Sequence, residues 1–155
     1  MIGHVGIAAG LSLSLALGTG WSRVPDVGAR ATAGNVPGRR AVAWTMSGVR
    51  SATAGFELDV THGVDTLLAV SSPVGRAGLH ATHGPGGMRE IASLPLGAGR
   101  TMVDGTQVHV MVQELATDIP IGDTLPLELR FAQAGTLRLA VPVLRFSEAL
   151  TALGR

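Results

Sequence analysis

The sequence predicts an all-β domain, a sandwich or barrel of short antiparallel strands. Short runs of alternating or continuous apolar residues recur along the chain, and clusters of turn-forming residues separate them. No long helical pattern accompanies these runs. The 155 residues fit one domain, and 46% hydrophobic with 15% charged residues is a globular composition.

The first half of the domain contains three predicted strands. Residues 41–46 form the first, and residues 56–60 alternate apolar and acidic side chains, as a half-buried strand does. A turn at residues 62–65 leads to residues 67–70, which are apolar throughout and fit a strand covered on both faces. Ser72-Pro73 ends this strand.

A hairpin is predicted in the middle of the chain. Residues 79–82 and 88–92 flank the turn cluster at residues 83–87, which is rich in glycine and contains proline. With the turn centred on Gly84, His80 would lie opposite Met88.

The last part of the domain predicts three strands, residues 108–115, 125–131 and 136–143. Pro126 places the second of them at an edge or at a strand start, because proline cannot donate to a sheet ladder. The turn at Ala134-Gly135 pairs the last two strands as a hairpin. Residues 146–153 fit either a short helix or a tail.

The N-terminal region is a targeting candidate. Residues 5–17 are an uncharged apolar run with the length of a signal-peptide core, and small residues at 29–33 fit a cleavage site. We therefore expect residues 1–33 to be a signal peptide or anchor with linker, and residues 41–146 to be the folded domain. Residues 147–155 would form a short tail. A buried apolar segment of the domain is the alternative for the run.

Charge and cysteine content exclude several functions. The formal net charge of +1 gives no strong attraction to nucleic acid. The absence of cysteine from the sequence excludes disulfide frameworks, thiolate zinc sites and thiol nucleophiles, and we expect no lipid anchor on cysteine. No nucleophile elbow or paired-carboxylate spacing is visible, so we predict that the protein is not an enzyme.

Four residues are candidate metal ligands: His80, Met88, His109 and Met111. His109 and Met111 are two apart on one strand, so their side chains share a face, and the hairpin would bring the other two beside them. Thioether sulfur is soft and selects Cu(I), and imidazole also suits copper. His83, in the predicted turn, is an additional candidate ligand. The alternative is that these are ordinary core or surface residues.

From about Trp44 to Val143 the chain resembles the PCu(A)C family of periplasmic copper chaperones. The family pattern is a His, a Met about ten residues later, and a His-x-Met about twenty residues further on. His80, Met88, His109 and Met111 take these positions in this order. The matching stretches are residues 54–60, 65–73, 79–80, 87–90, 94–99, 109–111 and 120–127, followed by Phe131 and Ala134-Gly135.

The resemblance implies a cupredoxin-like β-barrel or sandwich with Greek-key-type antiparallel strands. It also implies a periplasmic or other extracytoplasmic location, tethered to the membrane if the N-terminal segment stays uncleaved. The function implied is Cu(I) carriage by a monomer toward the cytochrome c oxidase subunit that holds the binuclear copper site. Only seven residues separate His80 and Met88, so the loop is shorter than in the family. The alternative is a β-sandwich interaction module that has lost the metal.

Overall fold

A computed structural model describes residues 29–46 and 48–155. This part of the chain forms eleven strands and one helix. The elements are β1 (Ala29–Ala33), β2 (Val36–Thr45), β3 (Ser51–Val60), β4 (Asp65–Ser71), β5 (Arg76–His83), β6 (Gly87–Ile91), β7 (Leu94–Leu96), β8 (Gly99–Val103), β9 (Val108–Gln113), β10 (Thr124–Phe131), β11 (Thr136–Pro142) and α1 (Phe146–Leu153).

The strands form two antiparallel sheets that pack face to face. The larger has the order β1-β2-β3-β9-β5-β6, and β8 pairs with β3 beyond the end of β9. The smaller has the order β11-β10-β4-β7. The core lies between the sheets. Its largest fully buried side chains include Phe56, Leu58, Leu67, Leu96, Leu125, Leu127, Leu129, Leu137 and Leu139. The predicted all-β sandwich is confirmed.

The hairpin of β10 and β11 shows how alternation produces this core. Leu127 lies opposite Leu139, and both side chains are buried, whereas the neighbouring pair Glu128 and Arg138 forms an ion pair on the outer face. Gly135 closes the turn with a φ of 87°, which a side chain would disfavour. Pro126 is tolerated because the ladder between β10 and β4 begins only at Glu128.

The folded domain was expected to begin at residue 41, but residues 29–40 form β1 and the first half of β2. The two strands pair as a hairpin whose turn includes Gly34, with a φ of 49°. Val36 is fully buried in the core. The pairing register of β2 with β3 shifts between Arg39 and Val42. The alternation of apolar residues along β2 is therefore interrupted, and the sequence pattern does not reveal the first half of the strand.

Residues 147–155, expected to be a tail, contain most of the helix α1. Ala149 and Leu153 are buried on the outer face of the larger sheet, against Val42 and Trp44 of β2. The helix ends at Gly154, which adopts the left-handed conformation. One part of this face is therefore covered by α1.

The signal peptide or anchor predicted within residues 1–33 lies almost wholly outside the described residues, which begin at Ala29. Among the described residues, no helix has both the length and the apolar character needed to cross a membrane.

Candidate metal centre

Two adjacent strands bring both candidate histidines together. β5 and β9 pair so that His80 lies directly opposite His109, on the outer face of the larger sheet. Their ring centroids are 5.9 Å apart, and the ring planes differ by 20°. Alternation places Leu79 and Val110 on the core face, so burial of these residues fixes which way the histidines point.

His109 is chemically prepared to bind a cation. Its side chain is only 5% exposed, and its Nδ1 atom has no hydrogen-bond partner among the described residues. Burial, together with the charge of the neighbouring His80, lowers the pKa of His109. The ring is therefore neutral at neutral pH, and a neutral imidazole offers a lone pair to a metal. A buried nitrogen without a partner is costly, and a bound cation would satisfy it.

Met111 lies on the same face of the larger sheet as His109, two residues further along β9. It is half-buried and lies opposite Gly78 of β5 on one side and Thr53 of β3 on the other. Gly78 has no side chain, so the surface between His80 and Met111 is left uncovered by β5. The structure thus places His80, His109 and Met111 at neighbouring positions on one face of the sheet.

Met88 lies at a different register from the one expected. The turn is centred on Pro85, with Gly84 and Gly86 at positive φ, so Met88 lies opposite Thr82. A shift of two residues keeps Met88 on the same face as His80 but makes it a diagonal neighbour, where Cα atoms are typically about 7–8 Å apart. The side chain is 59% exposed.

His83, the additional candidate, is not brought to this group. It is exposed and lies three residues after His80 on β5, opposite Gly87. Because side chains alternate along a strand, His83 belongs to the other face of the hairpin.

Glu90 takes the position that the sequence analysis gave to Met88, directly opposite His80. One oxygen, Oε1, lies 3.0 Å from the point that a Cβ atom on Gly78 would occupy, and His80 Nε2 lies 3.5 Å from the same point. The other oxygen, Oε2, accepts a hydrogen bond of 3.2 Å from Arg76. Sequence reasoning missed Glu90 because its position depends on the hairpin register.

The donor set has a mixed character. Across residues 29–46 and 48–155, no three His, Cys, Asp or Glu side chains approach closely enough to hold a metal ion by themselves. Two imidazoles do approach each other, and a thioether lies beside them. These residues fit a soft cation that accepts sulfur as well as nitrogen, and Cu(I) is such an ion.

A concavity of about 350 Å³ adjoins His109. Trp44, Met88 and His109 contribute to its lining. Its far side is formed by the loop after β8, where Asp104 accepts a 3.0 Å hydrogen bond from the backbone N–H of Thr106. The backbone N–H of Thr82 donates to Gln107 of the same loop at 2.8 Å. The centre is therefore open on one side and framed by hydrogen-bonded backbone.

Comparison with known proteins identifies the family. The model of the LpqE-like family, whose description is "Putative lipoprotein LpqE-like", matches residues 15–143. The chain belongs to the LpqE-like family. The sequence of this LpqE-like chain contains no cysteine that could carry a lipid. A search of curated protein sequences finds no match to it.

Solved structures show which fold this LpqE-like chain has. The copper-bound PCuAC domain from PmoF2 is similar with a TM-score of 0.65 and 17% identity, over 75% of this chain and 97% of that chain. The apo PCuAC domain from PmoF1 gives 0.66 and 16%, over 75% and 98%. The solution structure of apo-DR1885 from Deinococcus radiodurans gives 0.51 and 17%, over 95% and 99%.

These similarities confirm the resemblance predicted from the sequence, and the chain has the cupredoxin-like fold of PCuAC domains. At 16–17% identity the likeness concerns the fold.

Proposed function

We propose that this LpqE-like protein is an extracytoplasmic copper(I) carrier. Its ligands would be His80, His109 and Met111, with Met88 completing the set from the neighbouring strand. The observation that carries the proposal is the buried, unpartnered Nδ1 of His109, which lies beside a second histidine and a thioether on one face. The fold is that of PCuAC domains, one of which is copper-bound.

Each ligand has a definite part in this proposal. His109, neutral because burial lowers its pKa, would provide a fixed nitrogen donor. His80 would provide the second nitrogen from the adjacent strand. The half-buried Met111 would supply a soft sulfur, and the exposed Met88 would close over the ion. All four donors are neutral, which favours Cu(I) over harder cations.

The exposure of Met88 supports carriage over storage. A ligand on an exposed strand at the rim can be replaced by a donor from another protein, so copper can leave by stepwise ligand exchange. We propose that the acceptor is a copper-accepting protein such as the cytochrome c oxidase subunit that carries the binuclear copper site. The carrier would act as a monomer, without enzymatic activity of its own.

The proposed location follows from the relatives. The lipoprotein family and the PCuAC fold both support a place outside the cytoplasm, and a periplasmic carrier fits them. Tethering by an uncleaved N-terminal segment remains part of the proposal.

Titration of the full chain with Cu(I), in competition with a chromogenic chelator, tests the function. We expect one copper per chain, and His109→Ala should weaken binding at least about tenfold because a buried donor is removed. His62→Ala is the matched control, since His62 is exposed and distant in sequence from the four ligands. An unchanged affinity in His109→Ala would overturn the site.

The second candidate function is a β-sandwich interaction module that does not bind metal. The displacement of Met88 from the position opposite His80 favours it. Failure of the unmodified chain to retain copper under reducing conditions would support this module and contradict the carrier.

A further inference from the structure

We propose that Glu90 is a metal ligand and that the centre therefore binds Cu(II) as well as Cu(I). This inference rests on the proposed function, because it uses the same two histidines. It adds an anionic oxygen donor to a site whose other donors are neutral.

The strand register places Glu90 at the position of closest approach to His80. The two residues are direct partners across β5 and β6, whereas Met88 is paired with Thr82. Direct partners have Cβ atoms about 4.5–5.5 Å apart, and diagonal ones are farther apart. His80 thus has two direct neighbours on this face, Glu90 on one side and His109 on the other.

The donor atoms surround the bare backbone of Gly78. Glu90 Oε1 and His80 Nε2 lie 3.0 Å and 3.5 Å from the position of a Cβ on Gly78. Met111 is the direct partner of Gly78 on the opposite strand. An oxygen donor and a nitrogen donor therefore adjoin a space that any other residue at position 78 would fill, and Met111 occupies the cross-strand position beside it.

Arg76 binds only one of the two oxygens of the Glu90 carboxylate. Arg76 donates to Glu90 Oε2 at 3.2 Å, while Oε1 lies over Gly78. Arg76 also forms a hydrogen bond with Gln113, and its Nε lies 3.7 Å from Glu114 Oε1. Arg76 would keep these two partners if Glu90 turned toward a cation. The Glu90 side chain is 54% exposed, which leaves it free to make that turn.

A turn of this kind is required. In the described part of the chain, no three His, Cys, Asp or Glu side chains lie close enough together to hold a metal ion. Oxygen donors favour the harder Cu(II), and thioethers favour Cu(I). We infer that Cu(II) uses His80, His109 and Glu90, and that Cu(I) uses the histidines and Met111. The ion would keep its two nitrogen donors in both states.

Affinity measurements on both oxidation states test the inference. The full chain, Glu90→Gln and Glu114→Gln would be titrated with Cu(II) against a competing chelator, and with Cu(I) under reducing conditions. Glu114→Gln is the matched control, because it removes the same charge from the same arginine but at an exposed position away from His80. Glu90→Gln should weaken Cu(II) binding at least about tenfold and leave Cu(I) binding within about threefold.

Electron paramagnetic resonance gives a second readout. Cu(II) in the unmodified chain should show coupling to imidazole nitrogen, and Glu90→Gln should change the copper hyperfine splitting while Glu114→Gln does not. Glu90→Met should weaken Cu(II) binding and keep Cu(I) binding, because it exchanges a hard donor for a soft one.

The possible failures are distinguishable. If Glu90→Gln and Glu114→Gln bind Cu(II) equally well, Glu90 is not a ligand, and the carrier proposal stands on its Cu(I) data. If the unmodified chain binds Cu(II) but not Cu(I), the carrier proposal fails while Glu90 is retained. Binding of neither ion overturns both.

Discussion

His80 and His109 stack across β5 and β9, with ring centroids 5.9 Å apart and planes 20° from parallel. Burial lowers the pKa of His109, and a positive charge on His80 at this separation would lower it further. The structure therefore keeps a nitrogen lone pair of His109 available on the outer face of the sheet, where a thioether and a carboxylate also lie.

The two methionines should contribute unequally to Cu(I) binding. Met111 is half-buried and held between Thr53 and Gly78, whereas Met88 is 59% exposed on the outer strand. Met111→Ala should weaken Cu(I) binding about tenfold or more, and Met88→Ala by less, because an ordered donor loses less entropy on binding. Chelator competition on the two variants measures the difference. A larger effect of Met88→Ala would contradict this ranking.

Gly78→Ala should weaken metal binding while the fold is retained. The new methyl group would lie 3.0 Å from Glu90 Oε1, so the Glu90 carboxylate would have to shift, and at 3.5 Å from His80 Nε2 it would occupy the space beside that donor. The carboxylate is the end of a flexible, exposed side chain, and we expect a stability loss of about 1 kcal/mol or less. Copper titration and urea denaturation of the same variant separate the two effects. Unchanged copper affinity would show that the space over Gly78 is not used.

Asp65 should make the stability of the domain depend on pH in the acid range. Burial alone would raise the pKa of Asp65, but hydrogen bonds from the backbone N–H groups of Thr66, Gln133 and Ala134 outweigh it and lower the pKa. The ionised carboxylate joins the start of β4 to the turn between β10 and β11.

Because the folded pKa lies below the ordinary value of 3.8, this stabilisation is fully present above that value. It is lost as pH falls through the folded pKa. Asp65→Asn should cost about 2 kcal/mol at neutral pH and flatten the acid dependence, since a charged acceptor is lost. Urea midpoints between neutral and acid pH measure this, with the exposed Asp118→Asn as control. An equal acid slope in Asp65→Asn and the unmodified chain would contradict the assignment.

Leu153→Ala should destabilise the protein by about 2 kcal/mol, because it leaves a cavity between α1 and the larger sheet. Leu153 is 3% exposed, and its Cδ1 atom lies 2.9 Å from the Cβ position of Gly55. Leu150→Ala, on a half-buried position of the same helix, is the matched control and should cost clearly less. The midpoints of the denaturant unfolding curves measure the loss in each variant, provided that the slopes of the curves are unchanged. Equal losses would show that α1 is not anchored through Leu153.

The strands that the sequence predicts best are those with one buried face. In β10, Leu125, Leu127 and Leu129 alternate with half-buried residues, so the period of two is visible directly. The sequence did not predict β1 and the first half of β2, because the register shift between Arg39 and Val42 breaks the period. Helix α1 could not be distinguished from a tail, since it has only eight residues and its buried face is formed by packing against β2.

The all-β class, the kinds of donor atoms and their order along the chain follow from residue type and local period. Which donors lie next to one another depends on strand pairing in the folded sheet. The turn centred on Pro85 shifts the hairpin register by two residues, which places Glu90 opposite His80 and Met88 opposite Thr82. The sequence contains several glycines that could take the left-handed positions of that turn, and only strand pairing in the folded sheet selects among them.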